Sequence, residues 1–92
     1  MRFPLGQMVM THGVNDKIAE DTEFAKFVLK GIARHAAGDW GNLSAEDAKE
    51  NDFSITRQLR LLSSYEQGDL PKIWVITEAD RSATTVLFPN EY

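Results

Sequence analysis

The chain contains no cysteine, so neither a disulfide framework nor a thiolate metal site is open to it. It also lacks long apolar runs. Nothing in it approaches the roughly 20 consecutive apolar residues that a membrane-spanning helix needs, and no membrane association is expected. The apolar stretch near Met1 is broken by Gly6 and Gln7, with no small-residue cleavage site after it, so it does not read as a signal peptide. A cytoplasmic location is the expectation.

Basic charge is scarce as well. Ten Lys and Arg stand against 14 Asp and Glu, a net charge of −4. Generic duplex-DNA and RNA binders carry the opposite balance, so nucleic acid is not the favoured partner. Metal-ligand spacing is missing too: His12 and His35 are far apart, and the adjacent Glu46 and Asp47 diverge on a helix. No metal or cofactor is expected, and Thr11, His12 and Gly13 read as a turn. There is no internal repeat and no low-complexity segment.

What remains is a chain of 92 residues, enough for one domain (1–92) with a single modest core. Residues 5–11 read as a short strand that ends at Gly13, with Asn15 capping a brief helical turn. The spacing then predicts an amphipathic helix over 22–37. Phe24, Phe27, Val28, Ile32 and Ala36 share one stripe. Glu20, Asp21 and Glu23 suit the positive end of its dipole, and Arg34 and His35 the negative end. Gly38 is a natural terminator. Gly31 costs about 1 kcal/mol relative to alanine inside a helix, which points to close packing of another backbone there.

Asp39 to Leu43 read as a turn carrying Trp40, and Ser44 with Asp47 opens a short acidic helix ending near Asn51. Three strands follow in a meander: residues 59–65, then a hairpin over 72–88. Leu62, Trp74, Ile76 and Leu87 fall on one sheet face; Ile73, Val75, Val86 and Phe88 fall on the other. The expected fold is α+β, one long and one short helix on a three- to four-stranded antiparallel sheet. One face carries the long helix. The second is covered by the N-terminal segment or by a partner subunit.

Several blocks point further: Arg34 and His35 with Gly38 to Gly41, Arg60 to Tyr65, Ile76 to Thr85, and Pro89 to Tyr92, with Leu5 to Gln7 at the start. In these the chain resembles the small "plasmid-related" proteins encoded on bacterial plasmids, phages and integrated elements. The stretches 15–22 and 52–58 depart from that pattern. The resemblance implies a mobile-element setting and brings no catalytic residues with it.

The sharpest enzymatic alternative joins His35, Glu78, Arg81 and Thr84 or Thr85 in a metal-independent ribonuclease of barnase- or RelE-like layout. Glu78 or His35 would move the 2′-hydroxyl proton, and Arg81 would stabilise charge on the phosphate. The plainer reading leaves His35 on the helix carbonyls and Arg81 paired with Glu78 or Asp80. Trp40 is either a lid on the core or, with Tyr65, an interaction hot spot. Tyr92 can dock its ring on the body or on a partner.

The hairpin connection has no glycine and places three charges, Glu78, Asp80 and Arg81, within four residues. Turn geometry alone does not ask for that. The leading reading is therefore a non-enzymatic interaction protein with a protein partner, recognised through Trp40, Tyr65, Glu78, Asp80 and Arg81. It would modulate or inhibit a host or defence macromolecule. Arg81 is expected to serve binding rather than stability. A third reading is a structural homodimer that covers the second sheet face.

Overall fold

The computed structural model describes all 92 residues. In chain order the elements are β1 (Gln7–Met10), α1 (His12–Glu20), α2 (Thr22–Ala36), α3 (Ala45–Arg57), β2 (Leu61–Tyr65), β3 (Ile73–Thr77) and β4 (Ala83–Leu87), with a 3-10 turn over Pro89–Glu91. The fold is α+β, as the sequence implies. No helix is long and apolar enough to cross a membrane.

The helices start where side-chain oxygens meet orphan amides. Thr11, not Asn15, caps α1 by accepting from the Val14 amide at 3.3 Å. The expected turn at Thr11 to Gly13 is thus the opening of a helix, and Gly13 lies inside it. Asp21 ends α1 and caps α2, accepting from the Phe24 amide at 3.1 Å. Phe24, Phe27, Val28, Gly31, His35 and Ala36 form the buried stripe of α2, with Ile32 at its margin. A Cβ on Gly31 would stand 3.1 Å from the Tyr65 ring and 3.3 Å from the Ile73 side chain, so side chains of β2 and β3, not another backbone as expected, pack on that glycine. Gly38, at φ +83°, closes the helix: its amide bonds the His35 carbonyl and the Asp39 amide the Arg34 carbonyl.

Helix α3 is capped by Ser44, as expected, but runs past Asn51 to Arg57. Its inward positions include the polar Asn51 and Ser54, both buried, which is why apolar periodicity fails over 52–58. Gln58 in the left-handed region ends it, and the Leu59 amide bonds Ser54, so β2 starts at Leu61 rather than Leu59.

The sheet order is β1-β4-β3-β2. β2, β3 and β4 form the antiparallel meander, whereas β1 runs parallel to β4. The sheet is therefore mixed, not antiparallel throughout. α1 to α3 and two strands lie between β1 and β4, ample chain for the crossover that a parallel pair requires.

The register puts Leu61, Ser63, Tyr65, Ile73, Val75, Thr77, Thr84 and Val86 on the face toward the helices. Val14, Phe24, Phe27, Val28, Tyr65, Ile73, Val75 and Val86 pack there as the main core. A smaller cluster of Phe3, Trp40 and Leu61 fills the gap toward α3. The N-terminal segment thus lies under the helix-bearing face, not over the second one.

Candidate functional site

Behind Phe3 and Trp40 runs a buried polar chain. His35, fully buried, bonds Ser63 Oγ through Nδ1 and Thr77 Oγ1 through Nε2 at 2.9 Å. Thr77 Oγ1 is 2.7 Å from Thr84 Oγ1, and Thr84 donates to the Leu5 carbonyl at 2.7 Å. That carbonyl only accepts, so every proton upstream has a fixed direction. Thr77 donates to Thr84, His35 Nε2–H to Thr77, and Ser63 to Nδ1. The imidazole is the neutral Nε2–H tautomer, enclosed edge-on by Phe3 at 5.3 Å and Trp40 at 5.5 Å. Burial, then the nearby Arg81 charge, pushes it down to about 4.

His35 and Thr84 are therefore interior structural groups. His35 sits on the core side of α2, not on its terminal carbonyls. Arg81 pairs with no carboxylate; it donates to the carbonyls of Leu59 (2.7 Å), Glu78 (3.0 Å), Ala79 (3.2 Å) and Ser54 (3.0 Å). It clamps α3, the lead-in to β2 and the β3–β4 turn, and its own backbone is left-handed at φ +62°. The four residues of the ribonuclease reading do not converge on a cleft. No group of three His, Asp or Glu could hold a metal ion.

Trp40 is 4 % exposed and Tyr65 fully buried. Trp40 is the lid, stacked on Phe3 and donating to Asp52 at 3.0 Å. The Tyr65 hydroxyl donates to the Asp39 carbonyl at 2.6 Å, and burial pushes its pKa up to about 12. Arg34, beside that ring, bonds Asp39 at 2.7 Å and holds its carboxyl below the usual range. Neither aromatic offers its ring to a partner in this conformation.

The second sheet face, carrying Leu62, Trp74, Ile76, Thr85 and Leu87, has no helix over it. Only residues 89–92 cross it. Tyr92, 68 % exposed, meets Trp74 edge-on at 5.7 Å, and Arg60 donates to the Tyr92 hydroxyl at 2.7 Å. Arg60 also approaches Glu78 at 3.8 Å. Glu91 ties the crossing segment down, accepting from Thr11 at 2.7 Å and the Phe88 amide at 2.8 Å. Those two bonds, the Phe88 amide first, lower its pKa. Between Arg60, Glu78, Glu91 and Tyr92 lies an open trough of about 260 Å³, floored by Ile76, Thr85 and Leu87.

Asp80 stays exposed beside Glu78. Its pKa is lowered by the Ser82 hydroxyl and the Ser82 amide, which donates at 3.0 Å. Arg60 and Trp74 were not expected as interaction residues, although parity places Trp74 on this face, out of step with the core set Ile73, Val75 and Thr77. No protein-family model, curated protein or solved structure matches this chain.

Proposed function

We propose that the chain is a small non-enzymatic interaction protein of mobile-element origin that binds another protein and so modulates a host or defence macromolecule. One observation carries the reading. The helix-free sheet face sets Arg60 and Tyr92 on an open trough, with Trp74 edge-on against Tyr92, and aromatics with arginine are the composition of interface hot spots. Glu78 and Asp80 from the β3–β4 turn keep their place in the recognition surface, and Trp74, Tyr92 and Arg60 replace the buried Trp40 and Tyr65. The acidic groups beside the trough and the net charge of −4 favour a partner with a basic face. The ribonuclease alternative loses support, because catalytic groups must reach the substrate: His35 and Thr84 are sealed in the core and Arg81 is engaged by four carbonyls, which leaves Glu78 alone.

The test pairs capture from a bacterial lysate with an RNA assay. A partner held by the wild type should be lost with Tyr92→Ala and Arg60→Glu, each weakening binding by about 1–3 kcal/mol with the unfolding midpoint nearly unchanged. Total RNA should stay intact. RNA cleavage abolished by Glu78→Ala, or capture indifferent to both face substitutions, would overturn the reading.

A further inference from the structure

The two edges of the sheet are finished differently. On β2 the outward backbone groups belong to Leu62 and Ser64, and all four are satisfied. The Leu62 amide donates to Asn51 Oδ1 at 3.2 Å, and Asn51 Nδ2 donates to the Leu62 carbonyl. The Ser64 amide donates to the Trp40 carbonyl at 3.2 Å, and its carbonyl accepts from the Asn42 amide at 2.7 Å. Asn51 and the Trp40–Gly41–Asn42 backbone close that edge to any further strand.

On β1 nothing comparable exists. The amides of Gln7 and Thr11 bond Ser82 and Val86, so in a parallel ladder Gln7, Val9 and Thr11 face β4 while Met8 and Met10 face away. No other group of the chain bonds the amides or carbonyls of Met8 and Met10. The strand carries no charge, proline or bulge, the devices that usually guard an edge; shortness is the only protection it has. Met8 and Val9 are 38 % and 39 % exposed.

We infer that β1 pairs antiparallel with β1 of a second copy, across a two-fold axis at Val9. The register follows from the free groups. Setting Met8 against Met10 of the mate makes both narrow pairs hydrogen-bonded, so each amide and carbonyl of these two residues finds a partner. Centring the axis on Met8 sets Met10 against Gly6, which precedes the strand at φ +65°, and centring it on Met10 sets Met8 against His12, which is already helical. Val9 then meets Val9 of the mate as the closer, non-bonded pair on the helix-free face, and Met8 packs on Met10 of the mate on the other. Like charges never face each other, because the strand has none. The two four-stranded sheets become one.

Four residues a side fall short of the roughly 1,200 Å² that a stable dimer buries. The association is therefore reversible, with half-dimerisation in the range of about 0.1–1 mM. It involves neither the trough nor its aromatics and stands apart from the partner reading.

Sedimentation equilibrium up to about 1 mM, in the range set by that affinity, with amide exchange at the same concentrations, tests the pairing. The Met8 and Met10 amides should exchange freely in dilute protein and become protected at high concentration, while the Val9 amide stays protected throughout. Met8→Pro removes an outward donor without touching the β4 ladder and should weaken association about 30-fold through two lost bonds. Met8→Lys, which keeps the backbone intact, should do likewise should the proline variant unfold. Leu29→Lys on the outer side of α2 should change nothing. A monomer at all concentrations overturns the inference, as does a dimer indifferent to Met8→Lys. Protection of Met8 and Met10 only when a foreign extended peptide is added would give the edge to another chain and overturn it equally.

Discussion

Lowering the pH from 7 to 4.5 should destabilise this domain through one residue. His35 is neutral in the fold and is held down to about 4, from an ordinary value of 6.5, by burial first and by Arg81 second. The unfolded chain takes up a proton below 6.5 that the folded chain refuses until about 4, so the stabilisation is complete above 6.5. It is lost progressively as the pH falls and is fully lost below about 4. A difference of about 2.5 units at 1.36 kcal/mol per unit gives a loss of about 3 kcal/mol, large against a typical total of about 5–15 kcal/mol. The carboxyls of Asp21, Asp39, Asp80 and Glu91 are all shifted downward, so their contributions disappear at still lower pH. Urea denaturation from pH 7.5 to 4.5 should give a midpoint that falls steadily below 6.5 in the wild type. In His35→Gln the midpoint should be lower at neutral pH and much flatter. Nitrogen chemical shifts should report Nε2–H with Nδ1 bare. A wild-type midpoint equal at pH 7 and 5, or a ring protonated at Nδ1, would refute the directed chain from Ser63 to Leu5.

Phe27→Ala should cost about 3–5 kcal/mol by leaving a cavity in the main core; an unchanged unfolding midpoint would mean the α2 stripe faces solvent. Arg81→Ala should destabilise by about 1–3 kcal/mol by freeing four carbonyls, and Arg81→Gly by about 1 kcal/mol less, because glycine tolerates the left-handed backbone. Equal losses in calorimetry would remove the strain argument. Gly31→Ala should fail to gain the helix-propensity benefit of about 1 kcal/mol and should lower the melting temperature, since the new methyl meets Tyr65 and Ile73. A higher melting temperature would show that the contact has slack.

Local pattern made α2 and the meander legible. The spacing of Phe24, Phe27 and Val28 marks a helix, and the alternation of Ile73, Val75 and Val86 sorts the two sheet faces correctly. What stayed hidden depends on partners distant in sequence. The parallel pairing of β1 with β4 joins residues about 76 positions apart, and nothing within Gln7–Met10 encodes its direction. The second half of α3 is illegible because Asn51 and Ser54 face inward, where a pattern reader looks for leucine. Thr11 and Gly13 looked like a turn because a capping threonine and an interior glycine use the same residues as one. At the candidate site, charge on a short turn read as exposure. Arg81 instead finds acceptors at Ser54 and Leu59, while Trp74 was counted as sheet and not as surface.

The guanidinium of Arg81 also has a bearing on how the molecule breathes. It holds Ser54 in the last turns of α3, Leu59 ahead of β2, and Glu78 and Ala79 in the connection between β3 and β4. Three segments that would otherwise fray separately share one cationic fastening, so an opening that frees the guanidinium loosens all three. They form a single cooperative opening unit, of the kind native-state exchange resolves. The amides of Leu59 and Arg81, bonded to Ser54 and Glu78, should therefore exchange with a common opening free energy although they lie on different elements. Loosening α3 from the body would cost the turn bearing Glu78 and Asp80 its Arg81 bond to that helix.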